Sequence, residues 1–323
     1  MNIFLRLLSI GVFVVLGGFP SGAQNYPDRV IRIIVSTSPG GVTDVAARIL
    51  GTHIAAKTGQ AVIIVNRPGA SGNIAMEAVA RAKPDGYTLG FANTGNITIN
   101  PYLFADMPFD PLTELVPVGP VGTVPLFLVI NSTVPAKTLA EFIAYAKAHP
   151  DKIDYAGAGA GTTPDLAALE FKRRSGLKIV MLPFKGTGPA TTAVIAGNAQ
   201  ATFVSLGPHL SFVRNGMLRV LAAATPTREP YMPDTPTFAE LGFPGFETST
   251  WFSLFAPLGT PKRIVKQLNL YTRTVRDDPD NKKRLEAIFI DPLAMTTPEF
   301  AALVTADAIK WKRIVQDTGA TIK

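Results

Sequence analysis

The chain has 323 residues, of which 47% are hydrophobic and 17% are charged, so it is long enough for two medium-sized domains. Lysine and arginine number 31 against 24 acidic residues, but the basic residues are scattered, and the densest cluster, residues 281–284, lies beside three aspartates. This distribution excludes a nucleic-acid groove and leaves a mild positive field that would attract anions. The absence of cysteine excludes disulfides and anchoring through a lipidated cysteine.

The N-terminus has the features of a secretory signal peptide. Arg6 provides a positive charge, a nearly unbroken apolar run extends from Leu7 to Leu16, and Ser21 and Ala23 are small residues at positions −3 and −1 of a cleavage site. A buried N-terminal helix is the alternative, but polar residues do not divide the run into two faces. We therefore predict a signal peptide over residues 1–23, cleaved near Ala23, and a mature protein free in the periplasm.

Strand and helix patterns then alternate along the chain. Strands are predicted at Ile31–Val35, Ala61–Val65 and Tyr87–Ala92, with helices that start near Val42 and Asn73 between them. This βαβαβ order predicts a mostly parallel sheet that is flanked by helices.

A second set of alternating patterns starts at Leu126. Its predicted strands are Leu126–Ile130, Ile153–Ala156, Ile179–Pro183, Ala201–Ser205 and Leu218–Ala223. Three helical patterns follow in the tail, and the last is predicted to have Thr297 as its cap. Because the tail helices have no sheet of their own, we expect them to cover the first one. Domain 1 is thus predicted to comprise residues 26–122 and 225–323 and domain 2 residues 123–224, with hinge segments at Gly122–Val124 and Ala224–Thr227.

Glycine and hydroxyl residues follow the predicted strands where helices begin. The loops are Ser36–Asp44, Asn93–Asn96, Gly157–Pro164 and Lys185–Pro189. Ligands of α/β proteins bind at the carboxyl ends of strands, and the N–H groups at a helix N-terminus favour anions. Each loop alone could be a tight turn with a capping hydroxyl, but loops of both units meeting at one cleft are the better explanation. The sequence therefore predicts a site that binds a carboxylate through uncharged hydrogen-bond donors, the backbone N–H groups and hydroxyls of these loops.

Catalytic patterns are incomplete. The glycine-rich segments near residues 69, 157 and 185 begin like a hydrolase elbow, a dinucleotide fingerprint and a phosphate loop, but each lacks a required residue. Of the three histidines, His53 and His149 are expected to be surface or packing residues, whereas His209 follows a strand end and could face the cleft. We find no grouping with metal-ligand spacing. The sequence predicts no enzyme, no cofactor and no metal site.

Seven segments of the mature chain point to one family. They are Tyr26–Arg29, Pro39–Asp44, Val65–Asn73, Lys83–Leu89, Val134–Leu139, Trp251-Phe252 and Phe255–Pro257. Together they closely resemble the Bug-type receptors of tripartite tricarboxylate transporters. The resemblance implies a two-lobed periplasmic-binding fold of type II with two crossovers, a cleft that closes on its ligand, and a membrane partner that accepts the ligand. It also assigns ligand contact to backbone and hydroxyl groups of Ser36–Thr43 and Gly159–Thr163.

The chain departs from the family pattern at three places. Ser36-Thr37-Ser38 stands where members often have bulky apolar residues and proline, which makes that wall of the cleft more polar. Ser205-Leu206-Gly207 stands where many members have an aspartate, which makes an amino-acid ligand less expected. Asp165 stands where many members have a different polar residue; it either points at the ligand or, as we prefer, caps its helix.

The residues that we predict to bind ligand are Ser36, Thr37, Ser38, Gly40, Gly41, Thr43, Asn93, Thr94, Gly159, Gly161, Thr162, Thr163 and Ser205. The predicted protein is a monomeric periplasmic solute-binding receptor that captures a small carboxylate and delivers it to integral-membrane transporter subunits. A periplasmic ligand sensor that presents its liganded form to a signalling partner is the alternative. An enzyme of the same architecture would need an acid/base pair in the cleft, and the sequence offers none.

Overall fold

The computed structural model describes residues 26–159, 161–184 and 186–321. The predicted signal peptide lies outside the described residues, as do Ala160 and Lys185 of the predicted loops. None of the helices within the described ranges is long and apolar enough to cross a membrane.

The strands are β1 (Ile31–Val35), β2 (Val62–Asn66), β3 (Thr88–Asn93), β4 (Leu115–Pro125), β5 (Phe127–Asn131), β6 (Asp154–Gly157), β7 (Val180–Pro183), β8 (Ala201–Val204), β9 (Leu218–Ala223), β10 (Ser249–Pro257) and β11 (Asp291–Pro292). The helices are α1 (Val42–Thr58), α2 (Asn73–Ala80), α3 (Asn100–Leu103), α4 (Pro111–Glu114), α5 (Leu139–Ala148), α6 (Thr163–Ser175), α7 (Thr187–Ile195), α8 (Leu210–Arg214), α9 (Lys262–Thr274), α10 (Pro279–Ala287) and α11 (Thr297–Thr318).

The first lobe is built on a six-stranded sheet in the order β11-β4-β10-β3-β1-β2. Alternate residues of β1 face opposite sides of this sheet, as the two-residue period of a strand requires. Ile33 packs in a core with α1 and α9, whereas Ile34 packs on the other face with α2 and with Phe300 of α11. The tail helices α9 and α11 therefore cover the first sheet.

The second lobe is built on a five-stranded sheet in the order β7-β6-β8-β5-β9. Leu128 of β5 packs with α5 and α6 on one face, and Val129 packs with α7 on the other. Two α/β sheets flanked by helices are thus confirmed, but both sheets are mixed rather than mostly parallel. Strands β1, β2 and β3, and likewise β6, β7 and β8, run parallel, whereas β4, β5, β9, β10 and β11 pair antiparallel with their neighbours. These antiparallel strands include the ones that enter and leave the second lobe.

The chain crosses between the sheets at Leu126 and at Thr248. Three backbone hydrogen bonds tie the crossings together: Leu126 donates to Thr248, Thr248 to Ala224, and Ala224 to Leu126, over 2.7–3.3 Å. The predicted hinge segment Gly122–Val124 instead lies inside β4, where Gly122 pairs with Phe252 of β10. The crossing lies two residues further on because β10 holds β4 in register as far as Pro125.

Residues 225–248 connect β9 to β10 and pack on the second lobe. Phe238 and Phe246 are buried against Phe171 and Phe203, and their own ring centroids are 4.2 Å apart. The domain division stays a prediction, and this packing favours a second boundary near Thr248 rather than at residue 225.

Helix α11 contacts both lobes. Its first half packs on the first sheet through Phe300 and Val304. In its second half, Trp311 is fully buried in an apolar cluster with Ile99, which follows β3, and Leu166 of α6. The segments that follow β3 and β6 are therefore packed against the same helix.

Candidate functional site

The predicted ligand loops lie at the carboxyl ends of neighbouring strands in each sheet. In the first lobe, Val35 at the end of β1 pairs with Phe91 of β3, so Ser36 and Asn93 are at one edge. In the second lobe, Gly157 of β6 pairs with Pro183 of β7, and Gly186 donates to the carbonyl of Ala158. Because the loops after β3 and β6 both lead into the cluster around Trp311, the two edges lie on the side where the lobes meet.

The first-lobe loop ends at Gly41, which is the N-cap of the 17-residue helix α1. Gly41 is extended, with φ −75°, and no side chain among the described residues caps the first-turn amides. Positive φ occurs at the preceding residue, Gly40. Ser38, Gly40 and Gly41 are exposed. Uncapped amides at the positive end of a long helix, next to an exposed loop, are an arrangement that binds anions.

Asp44 holds this loop in shape. Its buried carboxylate accepts hydrogen bonds from the Gly40 amide (2.9 Å), from Asn66 Nδ2 (2.8 Å) and from Arg48. Burial by itself raises the pKa of Asp44, but the hydrogen bonds from Arg48, Gly40 and Asn66 outweigh it, and the pKa lies below its usual value. Asp44 is therefore ionised and paired with Arg48 at 3.0 Å, so it leaves little net negative charge beside the helix start.

Two predicted ligand hydroxyls are used inside the first lobe. Ser36 is buried and donates through Oγ to Asn96 Oδ1 (2.7 Å), and the Thr94 hydroxyl accepts from the Trp251 amide (2.9 Å). Asn96 also donates to the Ser71 carbonyl (2.6 Å), so it joins three segments of the loop edge. This structural role of Asn96 was not predicted, because an amide side chain three residues after a strand end is a weak sequence signal.

The other first-lobe candidates are open to a ligand to different degrees. Thr37 is half-buried, and its hydroxyl is buried without a hydrogen-bond partner among the described residues. Thr43 is buried in the first turn of α1. Asn93 is half-buried and uses its Oδ1 to accept from the Gly95 amide (3.0 Å), which holds the turn after β3.

The second-lobe loop has the conformation that its glycines predict. Gly159 and Gly161 have φ of 126° and 78°, which only glycine adopts without strain. Thr162 caps α6: its hydroxyl donates to the Gly159 carbonyl (2.8 Å) and accepts from the Asp165 amide (3.4 Å). Thr163 is buried in the first turn. The loop is thus folded over the N-terminus of a 13-residue helix.

Asp165 accepts a hydrogen bond from the Ala158 amide (2.5 Å). Burial raises the pKa of Asp165 to about 6, and hydrogen bonds from Ala158, Gly159 and Thr162 oppose the rise only in part. The side chain of Asp165 is thus directed back to its own loop. The preferred prediction that Asp165 caps α6 is wrong, because Thr162 is the N-cap and Asp165 lies in the first turn of the helix.

Ser205 follows β8 and is half-buried. Its carbonyl accepts from Nδ1 of His209 (2.9 Å), whose pKa is lowered by burial. His209 is thus a neutral packing residue that fixes the loop after β8. Among the described residues, no cluster of three histidines or carboxylates could hold a metal ion.

Two α/β lobes joined by two crossings, with glycine-rich helix starts where the lobes meet, are the architecture of a two-lobed solute-binding protein. Residues 46–320 match the model of the tripartite tricarboxylate transporter family receptor. The chain therefore belongs to that family, whose members are solute-binding receptors and not enzymes, as predicted.

Individual relatives are similar over the whole chain. The protein BugT of Bordetella pertussis (strain Tohama I) is 35% identical over 329 aligned positions that cover 100% of both chains. R. palustris Rpa4515, solved with adipate, is 31% identical, with a TM-score of 0.79 over 92% of this chain and 99% of that one. MatC (Rpa3494) from Rhodopseudomonas palustris, solved with malate, is 32% identical, with a TM-score of 0.75 over 90% of this chain and 100% of that one.

Proposed function

We propose that the protein is a periplasmic receptor that binds a small dicarboxylate between its lobes and delivers it to a tripartite tricarboxylate-type membrane transporter. The observation that carries this proposal is the start of α1, where an exposed glycine loop leads to a helix whose first-turn amides have no side-chain cap within the described part of the chain. Such an N-terminus can bind a carboxylate through neutral donors.

The second lobe supplies a second helix start. The loop Gly159–Thr163 lies at the N-terminus of α6, and the cluster around Trp311 packs this helix against the segment that follows β3. A ligand with two carboxylates could occupy both starts, which supports a dicarboxylate. The adipate and malate in the related structures are of this class.

Within these loops we propose that the ligand contacts are made by the backbone amides of Gly41 to Thr43, the hydroxyl of Thr37, and the backbone of Gly161 to Thr163 with the hydroxyl of Thr163. Ser36 and Thr94 would act indirectly, because their side chains are engaged within the first lobe. Export by the predicted signal peptide and a monomeric state are part of the same proposal.

A thermal-shift screen of residues 24–323 against adipate, malate and other mono-, di- and tricarboxylates tests the binding role. A ligand at 100 times its dissociation constant stabilises the folded state by about 2.7 kcal/mol, so a true ligand raises the melting temperature in step with its concentration. Sodium chloride at matched ionic strength is the control. No carboxylate-specific shift across the panel would contradict the proposal.

Delivery is tested separately by uptake of the bound carboxylate in cells with and without the receptor gene. Uptake that depends on the receptor supports transport. Unchanged uptake with a lost transcriptional response to the same carboxylate would favour the sensor instead.

A further inference from the structure

Phe289 occupies a backbone position that normally requires glycine. Helix α10 ends in two hydrogen bonds, from the Phe289 amide to the Glu286 carbonyl (2.9 Å) and from the Ile290 amide to the Leu285 carbonyl (3.0 Å). This is the Schellman pattern, in which the residue at the Phe289 position adopts the left-handed conformation and is usually glycine. Phe289 has φ 60°, a strained value for a bulky side chain.

The turn that carries Phe289 is fixed to the first lobe. Leu285 and Ile290 are buried in the core of that lobe. A β-carbon at Gly122 of β4 would overlap Ile290, so the isoleucine packs directly on the β4 backbone. Asp291 then pairs with Thr123 of the same strand. The turn that carries Phe289 is therefore packed on β4, near the end of that strand where the chain crosses to the second lobe.

Gly207 of the second lobe shows the converse anomaly. It follows β8 and lies two residues after Ser205, and its φ is outside the left-handed region, so its backbone does not require glycine. A β-carbon at Gly207 would nevertheless overlap three carbons of the Phe289 ring. The glycine at 207 and the phenylalanine at 289 are each unexplained by their own backbone, and the contact between them explains both.

We propose that Phe289 and Gly207 form a pivot on which the second lobe turns against the first. Phe289 lies two residues before Asp291, which pairs with Thr123, and Gly207 lies three residues after Val204, which pairs with Phe127. Both therefore flank the crossing at Leu126, and points near a rotation axis move least during hinge closure. The contact would persist as the lobes open and close, and it would fix the position of the loop that contains Ser205. Its effect on ligand affinity rests on the proposed function, whereas its effect on lobe orientation does not.

The absence of cysteine allows this pivot to be tested without ligand. Lys57 at the end of α1 and Lys147 at the end of α5 are exposed, one in each lobe. Spin labels on Lys57→Cys and Lys147→Cys report the distance between lobes by pulsed dipolar spectroscopy. Phe289→Gly removes the ring and satisfies the left-handed position, so the melting temperature should stay the same or rise while the distance distribution broadens.

Gly207→Ala should shift the same distribution, because its methyl group displaces the ring. In the Phe289→Gly background the alanine should have no further effect, since nothing is left for it to displace. Leu258→Ala, which truncates an exposed apolar side chain of the first lobe, is the control and should change neither quantity. A wild-type distribution in Phe289→Gly, or a full alanine effect in the double variant, would overturn the pivot. Neither result depends on which carboxylate binds.

Discussion

Gly41→Asp should abolish carboxylate binding and leave the fold at least as stable as before. Gly41 is the N-cap of α1 and already has the extended conformation that capping residues adopt, with φ −75° and ψ 166°. Among the described residues, the nearest neighbour of a β-carbon there would be the Ser38 carbonyl, at 3.8 Å, which is an ordinary contact distance. Aspartate at an N-cap accepts hydrogen bonds from the first-turn amides, so its side chain would occupy the proposed ligand donors from within the chain.

Gly41→Asp should raise the stability of the fold and lower the affinity for carboxylate. Aspartate is preferred over glycine at an N-cap by a few tenths of a kcal/mol, and its charge at the helix start adds about 0.3–1 kcal/mol, less any repulsion from Asp44. The melting temperature should therefore rise by roughly 1–3 °C. A charge-assisted hydrogen bond is worth about 1.5–3 kcal/mol, so loss of two of them weakens carboxylate binding by more than about hundredfold.

Calorimetric titration with the carboxylate identified by the thermal-shift screen, beside thermal melts, measures both effects. Gly41→Ala is the matched control, because its methyl group fits the space and leaves the amides uncapped, so it should keep most of the affinity. An equal loss of carboxylate affinity in both variants would mean that binding requires glycine at position 41, and not the free amides of α1. Wild-type affinity in Gly41→Asp would refute the assignment of the site to this helix start.

Three further changes test the electrostatics and the packing. The pKa of Asp165 is about 6 in the folded protein, above its unfolded value, so the protonated carboxyl stabilises the fold below pH 4 and this stabilisation is lost as pH rises through 6. The loss in the free energy of unfolding is of order 3 kcal/mol at most. Asp165→Asn should remove this pH dependence in thermal melts compared across pH 4–7. Burial lowers the pKa of His53, so stability should fall as pH drops below 6.5, and His53→Gln should flatten that dependence in the same melts. Phe238→Ala should cost about 3–5 kcal/mol in denaturant unfolding, because its ring is fully buried against Phe171 and Phe203; a loss under 1 kcal/mol would contradict the packing of residues 225–248 on the second lobe.

Sequence periodicity predicted the parallel strands of each sheet and the antiparallel strands β5 and β9, but it missed two long strands. Strand β4 has the sequence LVPVGPVGTVP, whose prolines and glycines indicate a loop. It forms a strand because β10 pairs with it from Leu115 to Pro125. Proline is tolerated there because, among the described residues, β11 pairs with the other side of β4 only at Gly122 and Thr123. The partner strand β10 was missed because its antiparallel pairing depends on residues more than 120 positions away.

The candidate loops could be predicted, but the role of individual side chains could not. A hydroxyl after a strand has the same sequence signature whether it faces a ligand or a neighbouring loop. Ser36 faces inward because Asn96, sixty residues away, accepts its hydrogen bond. The prediction of Thr297 as the cap of α11 is wrong by one residue: Thr296 is the cap, and it forms the reciprocal hydrogen-bonded pair with Glu299.

Hydrogen exchange of the purified protein with and without its carboxylate tests most directly whether the ligand is bound between the lobes. A bridged ligand should protect backbone amides at the start of α1, residues 41–45, and at the start of α6, residues 161–166, at the same ligand concentration. The surface helix α5 should exchange at an unchanged rate. Protection confined to one lobe, or centred away from both helix starts, would contradict binding between the lobes.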